Sequence, residues 1–169
     1  MTKIVRKWFW VWEFEKEEKW LNDMACDGWL LDGVGWCRYT FRSCEKDSFR
    51  VRLEMLAFAP GSEEGREYIG FIEGSGAKCV GSLMKWVYFV KDRADGEFEL
   101  FSDIDSRIRH LENIMKTIGV IGLLNLGLGL NNHNELSLLN LFCAGIIGYG
   151  IYRLNQMRER LKKERQLHE

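Results

Sequence analysis

The sequence lacks the residue clusters that metal sites and disulfide frameworks require. Its five cysteines form no CxxC pair and follow no spacing typical of zinc sites. An odd number of cysteines in a cytoplasmic domain indicates reduced thiols. The three histidines, His110, His133 and His168, are far apart in the chain. We therefore expect no metal site and no cofactor.

Signatures of catalysis are lacking too. Ser43 and Cys44 fall in a predicted turn, without a histidine nearby in sequence to act as their base. Four glutamates cluster at the first strand–helix junction: Glu13, Glu15, Glu17 and Glu18. Acids favour a helix N-terminus, so we expect these side chains to be solvated rather than paired for acid–base chemistry. The sequence predicts a protein that is not an enzyme.

Charge is nearly absent from two long segments near the end of the chain, Ile114–Leu130 and Leu136–Tyr152. Lys116 is the only charged residue inside them, and a short polar segment, residues 131–135, separates them. A helix of that length is roughly 26 Å long, slightly short of the ~30 Å hydrocarbon core of a bilayer. The pattern predicts a transmembrane helical hairpin over residues 114–152. The alternative is a pair of buried helices in a soluble core.

Flanking charge predicts the orientation of this hairpin. Arg107, Arg109 and Lys116 lie before or at the start of the first span, and the connecting loop contains no lysine or arginine. A basic tail follows the second span, with Arg153, Arg158, Arg160, Lys162, Lys163 and Arg165. The positive-inside rule then predicts a location in the cell membrane, with two spans and both termini in the cytoplasm. We expect the tail to contact anionic lipid. We expect no direct nucleic-acid binding, because the preceding domain has no basic patch.

Two polar residues lie inside the predicted spans, at similar depth. Asn125 precedes the loop by six residues and Asn140 follows it by five. One interpretation is an interhelical hydrogen bond, worth about 1 kcal/mol. The other is an intramembrane contact with another membrane protein or with a second copy of the chain.

The sequence before the hairpin alternates between strand and helix patterns. The predicted elements are a strand Arg6–Phe14, a helix over residues 15–28, strands Trp29–Phe41 and Ser48–Phe58, a helix Glu63–Gly74, and strands Lys78–Asp92 and Glu97–Phe101. Turns are predicted over residues 43–47 and 93–96. A last helix, capped by Ser102, leads into the first span as a rigid link.

These elements form a weak helix–strand–strand repeat after a leading strand. Three residue pairs carry an offset of 48 residues: Gly28 and Gly76, Phe41 and Phe89, and, within one residue, Phe49 and Phe98. The order β-αββ-αββ predicts an α+β fold with a ferredoxin-like antiparallel sheet of the split β-α-β type. The predicted organisation is a cytoplasmic domain (1–103), a linker helix (104–113), the hairpin (114–152) and the tail (153–169).

Tryptophan is the most unusual component of the predicted domain. Alternate side chains of a strand share a face, which groups four aromatic residues of the first strand: Trp8, Trp10, Trp12 and Phe14. This row can lie under the helices as core, completed by Trp20 and Trp29. Alternatively, it forms an aromatic platform on an open sheet face, for a flat apolar ligand, a partner protein or the membrane interface.

The tail carries a short apolar stripe. Leu154, Met157 and Leu161 follow a 3–4 spacing among charged residues. This spacing predicts either a coiled-coil seam or a helix lying on the bilayer surface. The seam leaves a homodimer open.

Three stretches resemble a bacterial family of domains of unknown function that is common in Firmicutes: KWFWVWEFEKEEKWLNDMACDGWLL, GWCRYTF and GEFELFSDIDSRIRHL. The resemblance covers roughly residues 6–111. It implies C-terminal transmembrane helices, which members often carry. It also implies a regulatory partner, because the family's genes often lie beside those of PadR-type transcriptional regulators. It implies no catalytic residues.

We therefore expect a membrane-anchored, non-enzymatic regulatory or sensor protein. Its cytoplasmic domain is expected to bind a protein partner, with a PadR-type regulator as the candidate. The alternatives are a receptor for an apolar or cationic small molecule on the tryptophan-rich face, and a structural accessory subunit of a membrane complex.

Overall fold

In the part of the chain that the structure describes, the alternating patterns of the N-terminal sequence become six strands and two α-helices, and the two apolar segments become two long helices. The computed structural model describes residues 1–98, 100, 104–131 and 135–168. Two units are present, residues 1–100 (the N-terminal domain) and residues 101–169 (the helical hairpin). The N-terminal domain contains β1 (Thr2–Arg6), α1 (Phe14–Cys26), β2 (Trp29–Gly35), β3 (Arg38–Ser43), β4 (Phe49–Met55), α2 (Glu63–Glu73), β5 (Lys78–Leu83) and β6 (Trp86–Asp92). The hairpin consists of α3 (Ile104–Asn131) and α4 (Glu135–His168).

The N-terminal domain is a duplicated β-α-β-β unit. Its strands form two three-stranded antiparallel sheets, β1-β3-β2 and β4-β6-β5, so the last strand of each unit lies between the other two. Gly28 and Gly76 follow the two helices with φ angles of 90° and 89°, which L residues with a side chain rarely adopt. Phe41 and Phe89 occupy equivalent central strands and are fully buried. The expected 48-residue offset is therefore present in the structure.

The repeat differs from its prediction in where it begins. The strand β4 opens the second unit, so the repeat is β-α-β-β and not α-β-β after a leading strand. A register shift interrupts both hairpins, between Leu31 and Gly33 in β2 and between Cys79 and Gly81 in β5. Phe49 and Phe98 are not equivalent, because Phe49 begins β4 whereas Phe98 lies outside any strand.

The α+β class is confirmed, but the single ferredoxin-like sheet is not confirmed, because the described strands form two sheets. Each sheet does contain a split β-α-β arrangement, in which the first two strands of the unit flank the third. The fourth strand, however, starts a second sheet. The last strand of each unit pairs on both sides with strands of the same unit. Each sheet is therefore complete within its own unit.

The two long predicted strands, Trp29–Phe41 and Lys78–Asp92, are each a β-hairpin. Cys37 (φ 51°) and Met84 (φ 56°) lie at the turns in the left-handed region. Neither is a typical turn residue, and both are embedded in runs of strand-forming residues, so the sequence signal for a turn is hidden. The predicted turn over residues 93–96 is a 3-10 helix followed by Gly96. Of the strand predicted after it, residues 97, 98 and 100 are not in a strand, and residues 99 and 101 lie outside the described residues.

Both predicted domain helices are present, and each packs one apolar face into the domain. In α1, Leu21 and Ala25 are fully buried, and Trp20 packs edge-on against the rings of Tyr39 and Phe41. In α2, Ile72 belongs to a cluster of buried apolar residues. The other buried members of that cluster are Leu56, Ala77, Val87, Phe89 and Phe98.

Helix α1 also contacts the edge strand of the second sheet. Asn22 accepts a hydrogen bond from the backbone N–H of Val51 (3.0 Å) and donates one to its carbonyl oxygen (2.8 Å). Glu18 accepts from the backbone N–H of Leu53 (3.1 Å) and from Arg52 (3.0 Å). These bonds satisfy backbone groups of β4 that an edge strand would otherwise expose. They join the helix of the first unit to the sheet of the second.

The helical hairpin packs α3 antiparallel to α4 in a regular register. A Cβ atom at Gly122 would lie 2.9 Å from Ile147, and one at Gly129 would lie 2.8 Å from Leu141, so these glycines permit close approach. Farther from the connection, Glu112 pairs with Arg158 (3.6 Å) and Asp105 with Arg165 (2.6 Å). The connecting residues 132–134 and the predicted cap Ser102 lie outside the described residues.

In this register, the apolar part of each helix ends at a charged residue, and the two charged residues lie at the same level. Gly119 approaches Ile151 and Glu112 pairs with Arg158, so Lys116 and Arg153 lie at about the same height. Between that height and the connection, both helices are apolar, and Leu123, Leu138 and Phe142 are 67–74% exposed. Both helices are long and apolar enough to cross a membrane.

The predicted tail is the continuation of α4, which runs to His168. Leu154 is fully buried, and the two ion pairs that link the ends of α3 and α4 flank this part of the hairpin. The apolar stripe of the tail therefore lies on a helix that pairs with α3 of the same chain. The linker helix predicted over residues 104–113 is likewise the first part of α3.

Candidate functional site

The row of aromatic residues after β1 is not a strand. The strand ends at Arg6, a 3-10 helix covers Val11–Glu13, and α1 begins at Phe14. The register pairs Arg6 with Arg38, the first residue of β3, so residue 8 would have to pair with Trp36 inside the hairpin turn. The predicted strand Arg6–Phe14 is wrong because its neighbour ends there.

Three of the four predicted aromatic residues nevertheless meet, together with one that was not predicted. Trp8 contacts Trp10 edge-to-face with ring centroids 5.4 Å apart, and Trp10 stacks on Trp12 at 5.0 Å. Trp36, from the turn between β2 and β3, lies edge-on to Trp8 at 6.1 Å. We call these four residues the tryptophan cluster. Trp8 is 52%, Trp10 40% and Trp36 68% exposed, so much of the cluster faces solvent.

Phe14, the fourth predicted residue, lies in the core. It is 9% exposed, and its ring centroid lies 5.7 Å from that of Trp86. Phe9 also points toward the interior, 5.6 Å from Trp20 and 6.4 Å from Tyr39. The two interpretations of the aromatic row therefore divide along the chain: Phe14 is core and Trp8 and Trp10 are surface.

Trp36 could not be associated with the cluster from the sequence. It lies within the long predicted strand Trp29–Phe41, where the only hint of a turn is the preceding Gly-Val-Gly. Only the hairpin brings its ring beside Trp8.

Cations border the tryptophan cluster. Arg6 and Arg38 are directly opposite each other in β1 and β3, and both are exposed. The ammonium group of Lys7 lies 4.5 Å from the ring centroid of Trp20 and 4.9 Å from that of Phe9. One acid is close: Glu13 accepts a hydrogen bond from the backbone N–H of Trp10 (3.3 Å) and pairs with a lysine. An exposed aromatic surface with a cationic border can hold an apolar surface that carries negative charge.

A buried carboxylate lies where the two repeats meet. Glu17 of α1 is 8% exposed, and its Oε1 accepts hydrogen bonds from the hydroxyls of Tyr39 (2.7 Å) and Tyr88 (2.8 Å). Tyr39 belongs to the first sheet and Tyr88 to the second. Burial raises the pKa of Glu17 above its usual value, although both hydrogen bonds lower it. Burial and the nearby Glu17 carboxylate raise the pKa of both tyrosines.

The glutamates at the start of α1 thus correct a prediction. They were expected to be solvated, yet Glu17 is buried and Glu18 binds Arg52 and the backbone of β4. The sequence carried a weak signal for this, because both residues fall on the buried side of α1 together with Leu21. Glu17 connects three elements and was missed as a candidate.

A second carboxyl group, that of Glu54, also has a raised pKa. Glu54 of β4 accepts a hydrogen bond from the hydroxyl of Tyr68 in α2 (2.7 Å). Burial raises the pKa of Glu54 to about 7, although the tyrosine bond lowers it. The buried Glu17 and the half-buried Glu54 therefore both resist ionisation, and each accepts a hydrogen bond from tyrosine.

Other parts of the domain offer less to a ligand. Among the residues that the structure describes, no three His, Cys, Asp or Glu side chains come together as a metal site. A surface groove of about 570 Å³ is lined by residues including Arg42, Phe49 and Arg93. Both arginines are engaged by acids, Arg42 by Asp32 at 3.3 Å and Arg93 by Asp47.

The family of the chain follows from its sequence. A family model described as "Protein of unknown function (DUF2812)" matches residues 13–123, well over half of the chain. The chain belongs to the DUF2812 family. The chain matches no curated protein and no solved structure. The expected resemblance to a family of domains of unknown function is confirmed.

The DUF2812 match covers some candidates and not others. It begins one residue before α1 and extends into α3, so it contains Glu17, Tyr39 and Tyr88. Trp8 and Trp10 precede the matched residues.

The two intramembrane candidates of this DUF2812 chain do not bind each other. The side-chain amide of Asn125 donates a hydrogen bond to the carbonyl oxygen of Ile121 in its own helix (2.9 Å). Between the described side chains of Asn125 and Asn140 no hydrogen bond forms. The register explains this: Gly129 lies opposite Leu141 and Gly122 opposite Ile147, which places the two asparagines at different heights.

Proposed function

We propose that this DUF2812 protein is a membrane-anchored, non-enzymatic regulatory protein whose N-terminal domain binds a protein partner through the tryptophan cluster. A PadR-type transcriptional regulator is the candidate partner. The observation that carries the proposal is the exposure of three tryptophan rings, Trp8 and the two rings that contact it, Trp10 and Trp36.

Large exposed aromatic surfaces support a binding role. Tryptophan and arginine dominate the affinity of protein interfaces, because they bury much area and lose little side-chain entropy. Here three indole rings and the neighbouring Arg38 lie at one end of the first sheet. A soluble domain gains nothing in stability from leaving such rings in water. An interface that buries them explains why they are exposed.

The helical hairpin supports the anchor. Its apolar residues are exposed rather than buried, which is the opposite of what a core helix of a soluble protein shows. The apolar band ends on both helices at the height of Lys116 and Arg153, as a boundary with lipid headgroups requires. The basic residues beyond that height support cytoplasmic termini by the positive-inside rule.

A second candidate function is a receptor for a flat apolar or cationic compound. The edge-to-face contacts of Trp8 with Trp10 and with Trp36 leave ring faces open to solvent. Such faces attract organic cations. Titration of compounds, followed by tryptophan emission, distinguishes this function. If the cluster binds only a protein partner, no compound changes the emission.

The test of the proposed function compares two sets of full-length variants by crosslinking in cells, detergent extraction and mass spectrometry. The test pair is Trp8→Ala with Trp36→Ala, and the matched control is Phe71→Ala, which removes a ring that is 77% exposed on α2. We expect a DNA-binding regulator to be recovered with the parent chain and the control. Loss of two hot-spot rings should reduce its recovery by about tenfold or more.

Equal recovery with the test pair would remove the tryptophan cluster from the proposal. Recovery of membrane subunits alone, through the hairpin, would indicate an accessory subunit instead. Tryptophan emission of each purified variant establishes that the domain is folded, since the half-buried Trp20 packs against the core residues Tyr39 and Phe41.

A further inference from the structure

The border of the tryptophan cluster contains an unusual pair of cations. Arg6 and Arg38 are the last cross-strand pair of β1 and β3 before the hairpin turn that carries Trp36. Like charges directly opposite in a sheet repel each other. Neither arginine forms an ion pair within the part of the chain that the structure describes. An anionic surface that approaches this end of the sheet would relieve the repulsion.

The chemistry of the cluster matches the headgroup layer of a bilayer. An indole ring has an apolar body and one N–H donor, so it favours the boundary between hydrocarbon and water. Arginine binds phosphate groups with two parallel hydrogen bonds. Trp8, Trp10 and Trp36 with Arg6 and Arg38 therefore combine the two residue types that hold proteins at anionic membrane surfaces.

Connection to the hairpin makes even a weak contact effective. A domain joined covalently to its anchor meets the bilayer at a high effective concentration, whatever its affinity as a free molecule. The domain and the first candidate span belong to one chain, with only residues 101–103 between the two described parts. A contact of a few residues is then sufficient.

We propose that the tryptophan cluster, with Arg6 and Arg38, docks on the anionic surface of the bilayer that anchors the chain. This inference rests on the membrane anchor of the proposed function and adds a regulation to the same site. The bilayer covers the rings while the partner is absent, and the partner must displace it. Release from the membrane then becomes the step that exposes the binding surface.

All seven tryptophans lie in the N-terminal domain and none in α3 or α4, which makes them reporters of domain docking. The full chain is reconstituted in vesicles of neutral lipid or with about 30% phosphatidylserine, in each case with plain or brominated acyl chains. Bromine quenches only the indoles that touch the bilayer. We expect quenching of roughly 40% of the emission in anionic vesicles, because three of the seven rings form the exposed part of the cluster.

Charge variants identify the surface that docks while every ring is retained. Arg6→Gln with Arg38→Gln should lose at least half of the quenching in anionic vesicles, as should salt of about 1 M, which screens exposed charges. The matched control is Lys46→Gln with Arg66→Gln, which removes two exposed cations elsewhere in the domain and should quench like the parent chain.

Equal emission in plain and brominated vesicles would overturn the inference. Quenching that neither neutral lipid nor the Arg6 and Arg38 substitutions reduce would also overturn it, because another face would then be touching the bilayer. Resistance of the chain to carbonate extraction is measured on the same samples. Extraction of the chain by carbonate would contradict the membrane anchor of the proposed function. A chain that is retained but not quenched would contradict only the docking.

Discussion

Removing the tyrosine hydroxyls that hold Glu17 tests whether this carboxylate joins the two halves of the domain. Tyr39→Phe and Tyr88→Phe each delete one donor to Oε1, at 2.7 and 2.8 Å, and leave the ring in place. A hydrogen bond to a charged group contributes about 1.5–3 kcal/mol to stability. We expect each single variant to lower the free energy of unfolding by about that amount at pH ~8.

The loss should depend on pH in a defined direction. The pKa of Glu17 is raised in the folded protein, so its contribution to stability is fully present below the ordinary value of 4.5 and is lost as pH rises through the folded value. Both tyrosine bonds lower that folded pKa. Without one of them the folded pKa rises further, and stability falls more steeply with pH. The difference between variant and parent should therefore be larger at about pH 8 than at about pH 5.

Urea unfolding of the full chain in detergent, followed by tryptophan emission, measures this loss. The emission reports only on the N-terminal domain, because all seven tryptophans lie there. The control is Tyr152→Phe, which removes a hydroxyl from an exposed tyrosine of α4 and should leave the transition unchanged.

The double variant completes a cycle. Both hydroxyls bind the same oxygen, so their contributions should be coupled rather than additive. A loss below about 0.5 kcal/mol at every pH would show that Glu17 does not depend on these donors. An equal loss at acid and alkaline pH would show that the hydroxyls stabilise the domain without reference to the charge on Glu17.

Two further predictions concern the second sheet and its helix. Glu54 has a folded pKa of about 7 against an ordinary 4.5, so stability should fall as pH rises between these values. The Glu54→Gln variant should not show that fall, and it should be more stable than the parent at about pH 8. Urea unfolding at a series of pH values measures this difference. Stability that depends on pH equally in variant and parent would contradict the prediction. Gly81→Ala places a Cβ 2.9 Å from the side chain of Val34 and 3.4 Å from its backbone nitrogen. We expect a loss of about 1–3 kcal/mol from this overpacking. The control is Gly70→Ala on α2, where nothing lies near the added Cβ, and its free energy of unfolding should rise by about 0.5–1 kcal/mol. Equal effects of the two substitutions would contradict the close contact between Gly81 and Val34.

Local signals account for the elements that were predicted well. Helices α1 and α2 each have an apolar stripe, and they end shortly before Gly28 and Gly74, so their limits follow from residues close in sequence. The two apolar helices follow from composition in the same way. The hairpins inside Trp29–Phe41 and Lys78–Asp92 were missed, since Cys37 and Met84 occupy turn positions without being turn residues.

The candidate site likewise was predicted only in part from the sequence. A row of alternating tryptophans is visible in the sequence, but the strand that would align Trp8, Trp10 and Trp12 does not form, because β3 ends opposite Arg6. Trp36 joins the cluster only through a turn, and Glu17 becomes a buried site only because tyrosines of two different sheets reach it.

The sequence by itself determined the α+β class of the domain, the 48-residue repeat, the limits of α1 and α2, and two helices apolar enough to cross a membrane. These properties depend on periodicity and on local stop signals, which act between neighbouring residues. The tertiary structure alone decided that the strands divide into two sheets, that the charge boundaries of α3 and α4 lie at one height, and that Phe14 is core while Trp8 is surface. Each of these depends on which distant residues are available as partners. Such long-range contacts set strand pairing and helix register, and the local sequence pattern of one segment does not determine them.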